Sequence, residues 1–230
     1  MNKKILVFNG SPKKEKSDTL HITNAFLEGM KSINDYDITM IDVIDKNINY
    51  CKGCFTCKKN GGKCIYNDDM EDILKMILQT DIIIWSFPLY AYSMPAHLKV
   101  LIDRTMPLST MAMHEVNGRY EHDSQYDFSK LKYVMISGCG FPNFKNNFEP
   151  MVQQFINMFG EEDSTIITVP EAPMFNAEEA KSVTEPFLKV IEEAGKQYAR
   201  TGEISEETKK QILTPMIPPE VYEQIVNGNN

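Results

Sequence analysis

The chain of 230 residues sets 24 Lys and Arg against 32 Asp and Glu, a formal net charge of −8, with 42% hydrophobic and 24% charged residues. That composition suits one large globular domain with an appendage, and its acidic balance, with no basic stripe, argues against a nucleic-acid partner. No segment approaches the roughly 18 apolar residues of a membrane-spanning helix, so no membrane partner is expected either.

The first apolar run, residues 5–8, has strand length and stops at Asn9-Gly10-Ser11-Pro12. It is too short for a signal peptide, and the expected compartment is the cytoplasm. After a polar loop, residues 19–32 place Leu20, Ala25, Phe26, Leu27 and Met30 roughly along one helical face, with Ser17 or Asp18 as N-cap. Residues 36–45 read as a second strand with Ile38, Met40 and Val43 among its apolar positions. Beyond a cysteine-rich loop, residues 68–81 form an amphipathic helix with acidic residues in its first turn. Residues 81–88 read as a strand buried on both faces, and a helix restarts at Pro95. Residues 107–129 are polar and irregular, an insertion or lid. A fourth strand over 130–140 ends in glycines, followed by a helix over 146–160, a fifth strand over 164–170 and a long amphipathic helix over 177–200. The tail from Gly202 carries a short helical stretch, and its later apolar residues have no evident place in a five-stranded core. Strands alternating with helices predict an α/β fold, a doubly wound five-stranded parallel sheet with helices on both faces in the flavodoxin-like arrangement. Ligands of such sheets bind beyond the carboxyl ends of the strands.

Five cysteines, four of them between Cys51 and Cys64 and the fifth at Cys139, make a poor disulfide framework and suit a reducing compartment and thiol chemistry. The loop reads C-x2-C-x2-C-x6-C, through Cys51, Cys54, Cys57 and Cys64. That spacing is compatible with one compact iron–sulfur cluster, with zinc, or with reduced thiols that only pack. Lys52, Lys58, Lys59 and Lys63 would favour thiolates or offset a cluster's charge, and they equally suit solvent exposure.

Three strand-to-loop junctions carry the remaining signal. In residues 9–19, Gly10 permits a tight turn, and the backbone N–H groups and hydroxyls after it can surround a phosphate at the helix start. Neither G-x-G-x-x-G nor an ATP-type P-loop is present. A terminal phosphate monoester, or nothing, remains for this loop. In residues 86–104, Tyr90 and Tyr92 either stack on a planar ring or pack as amphipathic residues at a sheet end. In residues 137–143, two glycines would let backbone approach a flat ligand closely. His114 and His122, beside Glu115 and Glu121, need no metal to explain them; Trp85 and Cys139 read as packing residues, and the methionines as core fillers.

Ser11-Pro12-Lys13 with Ser17 and Thr19, then residues 88–104, then Ser137-Gly138-Cys139-Gly140 resemble the three flavin loops of the NADPH-dependent FMN reductase family. The cysteine loop with Asp68-Asp69-Met70 is similar to its iron–sulfur flavoprotein branch. The resemblance runs over about residues 3–200. It implies bound FMN, with Ser11, Lys13, Ser17 and Thr19 at the phosphate, Pro88, Leu89, Tyr90, Ser93 and Met94 bordering the isoalloxazine, and Gly138, Cys139 and Gly140 beneath or beside it. Cys51, Cys54, Cys57 and Cys64 would be the ligands of a [4Fe–4S] cluster if the loop holds one. No protein acid or base is needed, because the flavin itself accepts the hydride.

The implied activity is an FMN-dependent oxidoreductase that passes electrons from NAD(P)H, by a ping-pong mechanism, to flavin, a quinone, a nitro or azo compound, or a metal ion. The competing readings are an electron carrier working with ferredoxin through the cluster, and a zinc-stapled binding module with no redox role. The expected organisation is an FMN-binding domain over residues 1–201, with the cysteine loop at 51–64 and the insertion at 107–129, and a C-terminal extension over 202–230. The resemblance also implies a homodimer or homotetramer.

Overall fold

A strand buried on both faces needs apolar residues at every position, whereas one at an edge can alternate. β1 (Lys3–Asn9) meets the first condition over Ile5–Phe8, and β3 (Ile82–Pro88) over Ile82–Trp85. Along β1, Ile5 and Val7 face one core, and Leu6 and Phe8 the other. A computed structural model describes residues 2–116 and 118–228. Between its two central strands run α1 (Asp18–Lys31), β2 (Tyr36–Asp42), α2 (Thr56–Lys59) and α3 (Met70–Ile77). After β3 come α4 (Ala96–Asp103), β4 (Ser109–Val116), β5 (Arg119–Ser124), β6 (Lys132–Gly138), α5 (Glu149–Phe159), β7 (Ser164–Val169) and α6 (Lys181–Thr201). The tail holds α7 (Glu206–Ile212) and α8 (Pro219–Gly228).

The main sheet is parallel throughout, in the order β2-β1-β3-β6-β7. The chain moves outward from β1 to β2 and then to the opposite side through β3, so the order reverses between β1 and β3. Loops leaving those two strands flank a topological switch point, where doubly wound folds bind ligands. Helices α1 and α6 cover one face of the sheet, and α3, α4 and α5 cover the other. The first pair packs backbone to backbone. A Cβ on Gly29 would lie 1.9 Å from the carbonyl oxygen of Glu192, and one on Gly195 would lie 2.0 Å from that of Phe26.

Three local expectations are corrected. The second strand ends at Asp42, and Val43 sits buried in a 3-10 turn after it. Met40 is 40% exposed, because β2 is an edge strand with a partly open face. Residues 107–129 are not irregular: β4 and β5 pair as an antiparallel hairpin. Its polar faces hid the period-two signal, although Asn117-Gly118 is a strong hairpin dipeptide. Part of the tail does have a place: Ile204 and Ile212 join the core under α1 and α6, Met216 packs against it and Tyr222 is buried, whereas Leu213, Val221, Ile225 and Val226 are exposed. Asn117 of the insertion and Asn229 and Asn230 of the tail lie outside the described residues. Among the described residues, no helix is long and apolar enough to cross a membrane.

Replacing Gly195 with Ala is expected to force α1 and α6 apart and to lower unfolding free energy by about 3 kcal/mol, read as a lower urea midpoint at unchanged m-value.

Candidate functional site

At the carboxyl end of β1, Asn9 fixes the first junction from both ends of its amide. Its Nδ2 donates to Asp42 Oδ1 at 2.7 Å, and its Oδ1 accepts the Ser11 N–H at 3.1 Å. Ser17 caps α1, its Oγ accepting the Leu20 N–H at 3.3 Å. That cap leaves the N–H groups of the first helical turn, at Asp18 and Thr19, without intrahelical partners. Ser11, Ser17 and Thr19 are all buried, whereas Lys13 is exposed, its ammonium held 2.7 Å from Asp18 Oδ2 at the helix start. His97 Nε2 lies 2.9 Å from the Gly10 carbonyl oxygen, and burial lowers the His97 pKa, so the ring is a neutral brace for the turn.

The second junction is tied to the third, since the Leu89 N–H donates to the Gly138 carbonyl at 2.8 Å. Tyr90 and Ser93 exchange backbone hydrogen bonds of 2.9 and 3.0 Å around Ala91 and Tyr92. Both central residues have positive φ, 49° and 61°. This turn is one that Asn-Gly adopts easily and that L side chains adopt at a cost of roughly 1–2 kcal/mol per residue. It presents Tyr92 to Phe141, whose ring is stacked 6.1 Å away at 12°, with both rings about half exposed. Leu89 and Met94 point into the core, Pro88 is half-buried, Tyr90 is exposed, and Ser93 Oγ donates to Gln154 Oε1 at 3.1 Å.

In the third junction Gly138 has no room for a side chain: a Cβ there would lie 2.7 Å from Ala172 Cβ and 3.2 Å from Thr19 Oγ1. The first and third junctions therefore touch. Cys139 is buried, and burial pushes its thiol up to about 11, which leaves it protonated and unreactive near neutrality. Gly140 is exposed.

The four loop cysteines line one pocket of about 370 Å³, with Lys52, Tyr66 and Arg104 in the same wall. Cys51 and Cys54 are exposed, Cys57 and Cys64 are half-buried, and all are free thiols. Hydrogen bonding from Thr56 lowers the Cys54 thiol. Among the described residues, no three His, Cys, Asp or Glu side chains are gathered as ligands of a single metal ion.

Arg104, in the pocket wall, belongs to a buried ion pair. Arg104 grips Asp68 through two bonds, of 2.7 and 3.0 Å, with both side chains inaccessible. The same guanidinium donates to the Asn49 carbonyl at 2.7 Å and to Cys64 Sγ at 3.5 Å, and lies 5.0 Å over the Tyr66 ring. Burial alone would raise the Asp68 carboxyl, but hydrogen bonds from Arg104 and Asn49 outweigh it and hold the group well below the usual carboxylate range. On the other side of the loop, Lys58 Nζ donates to the carbonyls of Met106 and Ser109 and to Ser109 Oγ, which fastens α2 to the base of the hairpin. Sequence reasoning missed Asn49, Tyr66 and Lys58 as supports. Asp68 and Arg104 stood in the recognised motifs, but nothing in their spacing of 36 residues announced that they pair.

Residues 3–198 match the model of the flavodoxin-like fold family. The chain belongs to that family. It is similar to an iron–sulfur flavoprotein of Methanocaldococcus jannaschii, 37% identical over 107 residues that make up 46% of this chain and 53% of that protein. The chain spans about half the length of the curated relatives it matches. An FMN-dependent NADH-azoreductase from Bacillus anthracis, solved in complex with FMN, has a TM-score of 0.60 and 19% identity over 86% of this chain and 100% of that one. An NAD(P)H:quinone oxidoreductase from Methanothermobacter marburgensis has a TM-score of 0.61 and 14% identity over 86% of this chain and 97% of that one. At such identities the likeness to these flavodoxin-like structures is one of fold.

Removing one partner of the buried pair, as in Arg104→Ala, is expected to cost about 3–5 kcal/mol of stability at pH 7. Because the folded-state pKa of Asp68 is depressed, its contribution is complete above the unfolded carboxylate value of about 4 and is lost as pH falls further, through the folded value. The difference in urea stability between the parent and Asp68→Asn should accordingly hold level from pH 8 to pH 5 and shrink in more acid buffer. Ala91→Gly relieves a left-handed L residue and should stabilise the fold by about 1 kcal/mol, read in the same titration.

Proposed function

We propose that the chain binds FMN across the three junctions and acts as an NAD(P)H-dependent oxidoreductase that delivers electrons to a small-molecule acceptor. The observation that carries this reading is the meeting of the junctions at the carboxyl edge of the sheet, beside the switch point. There, buried hydroxyls of Ser11, Ser17 and Thr19 surround the start of α1, and the third junction touches the first at Gly138 and Thr19. These groups fit a phosphate monoester followed by a flat ring. The free N–H groups and hydroxyls supply neutral donors, and Gly138 keeps the backbone low where a side chain would intrude.

When bound, FMN supplies a ring that takes up a hydride and gives up its electrons singly or in pairs. The chain's part is to bind and orient it. Ser11, Lys13, Ser17 and Thr19 would hold the phosphate, Lys13 sharing its ammonium with Asp18. Pro88, Leu89, Tyr90, Ser93 and Met94 would border the ring through backbone and half-exposed edges, with Gly138, Cys139 and Gly140 beside it. Cys139 keeps its proton and packs. The stacked Tyr92 and Phe141 would present a flat apolar surface to an acceptor of aromatic or quinonoid shape. The azoreductase and quinone oxidoreductase of similar fold are named for acceptors of the same class. Alternation of donor and acceptor in one site gives ping-pong kinetics.

One specific observation favours a second reading. Four thiols lining one pocket, with Arg104 donating to Cys64, suit a [4Fe–4S] cluster on Cys51, Cys54, Cys57 and Cys64, and the curated relatives are named iron–sulfur flavoproteins. The protein would then exchange electrons with ferredoxin through the loop. Under either reading the assembly is a homodimer or homotetramer, which light scattering would measure.

Anaerobically purified protein is expected to carry about one FMN, and under the second reading about four iron and four sulfide per chain. Cys51→Ser with Cys54→Ser should remove the iron and leave the flavin. Initial rates with NADPH and a quinone should give parallel double-reciprocal lines. Absence of flavin both as purified and after FMN addition overturns the proposal, and zinc in place of iron overturns the cluster.

A further inference from the structure

The residue after the last strand is built in an unusual way. Glu171 has a φ of 57°, a conformation that L residues rarely hold without compensation. Its carboxylate is fully buried. Oε2 accepts the Met216 N–H at 2.6 Å, whereas Oε1 has no hydrogen-bond partner. A carboxylate buried with one oxygen open asks for a donor that the described side chains do not provide.

Its surroundings belong to the junctions. The Glu171 N–H donates to the Phe141 carbonyl at 2.9 Å, and the Ala172 N–H to that of Cys139 at 2.8 Å. Ala172 is the residue that bars a side chain at Gly138. At the far end of the same turn, Asn176 Nδ2 donates to the Lys16 carbonyl at 3.0 Å and to Asp18 Oδ1, in the first junction. Tyr222 of α8 is buried close to Glu171, Cys139 and Asp18. The tail therefore runs past β7, with Ile204 and Ile212 packed into the core, to the Met216 N–H that Glu171 accepts, and Tyr222 is buried beyond it.

We infer that residues 213–228 are a strap that closes the phosphate-and-ribityl end of the cofactor site, with Glu171 as its anchor and Tyr222 as the side chain that covers the bound group. The inference rests on the FMN reading. It explains why the chain continues past the core and is tied down at the sheet's carboxyl edge. The bond from the Met216 N–H to Glu171 ties the start of that segment to the turn on which the third junction rests. Glu171 and Tyr222 thus join the site from elements outside the three junctions.

The test uses the full chain loaded with FMN. Release is followed by the recovery of free-flavin fluorescence after large dilution into buffer, for the parent, Tyr222→Ala, Glu171→Ala and Glu171→Gln. Amide exchange over residues 213–228 is measured in the parent with and without FMN. The strap predicts release about tenfold faster in Tyr222→Ala and Glu171→Ala, partial retention in Glu171→Gln, which keeps an acceptor oxygen, and slower tail exchange when FMN is bound. Release within about twofold of the parent in both alanine variants overturns the strap and leaves the FMN reading standing. A parent that takes up no FMN overturns both. Should a variant not fold, the parent's tail exchange decides, and exchange unchanged by FMN counts against the strap.

Discussion

Burying both faces of a parallel sheet demands helices on each side, and that demand shapes the molecule. Every strand-to-strand connection in the sheet must cross over through a helix, so the loops gather at its two edges. The reversal of order between β1 and β3 then opens a gap at the carboxyl edge that the helices do not fill. On the face where α1 and α6 lie, the demand is met by contact so close that Gly29 and Gly195 have no space for a methyl group. The start of α1 is held firmly as a result, and with it the N–H groups of the first junction.

Electrostatics adds definition at one place in particular. Most ion pairs among the described residues are exposed, several of them spaced three or four residues apart along helices, where water and salt screen them and each contributes little. Arg104 and Asp68 are different, because both side chains are out of water and geometry decides their worth. Arg104 follows the last residue of α4, and Pro95 precedes the first. A single short helix thus joins the tyrosine-bearing turn to the cysteine pocket, and a disturbance at one end has a rigid route to the other.

Much of this was legible in the sequence because it depends on local patterns. Residues 5–8 and 82–85 are apolar at every position, Ser17 stands where a cap belongs, and the Gly138 region shows its glycines openly. What escaped notice is non-local or polar. The hairpin lacks an apolar face, so no alternation marked it, and only Asn117-Gly118 pointed to a turn. Val43 reads as part of the second strand, although it is buried from the 3-10 turn that follows that strand. The pairing of Asp68 with Arg104, the stacking of Tyr92 on Phe141 and the bond from Met216 to Glu171 join residues that are 36, 49 and 45 positions apart. Contacts at that separation leave no periodic trace.

The route of the tail bears on the order of events during synthesis. Translation delivers the chain from its amino end, and domains fold as their parts emerge. All five strands of the sheet, and all three junctions, precede residue 170, whereas α8 begins at Pro219. The carboxyl edge of the sheet is therefore complete while α8 is still inside the ribosome, so the rim of the sheet is built before the tail can reach it.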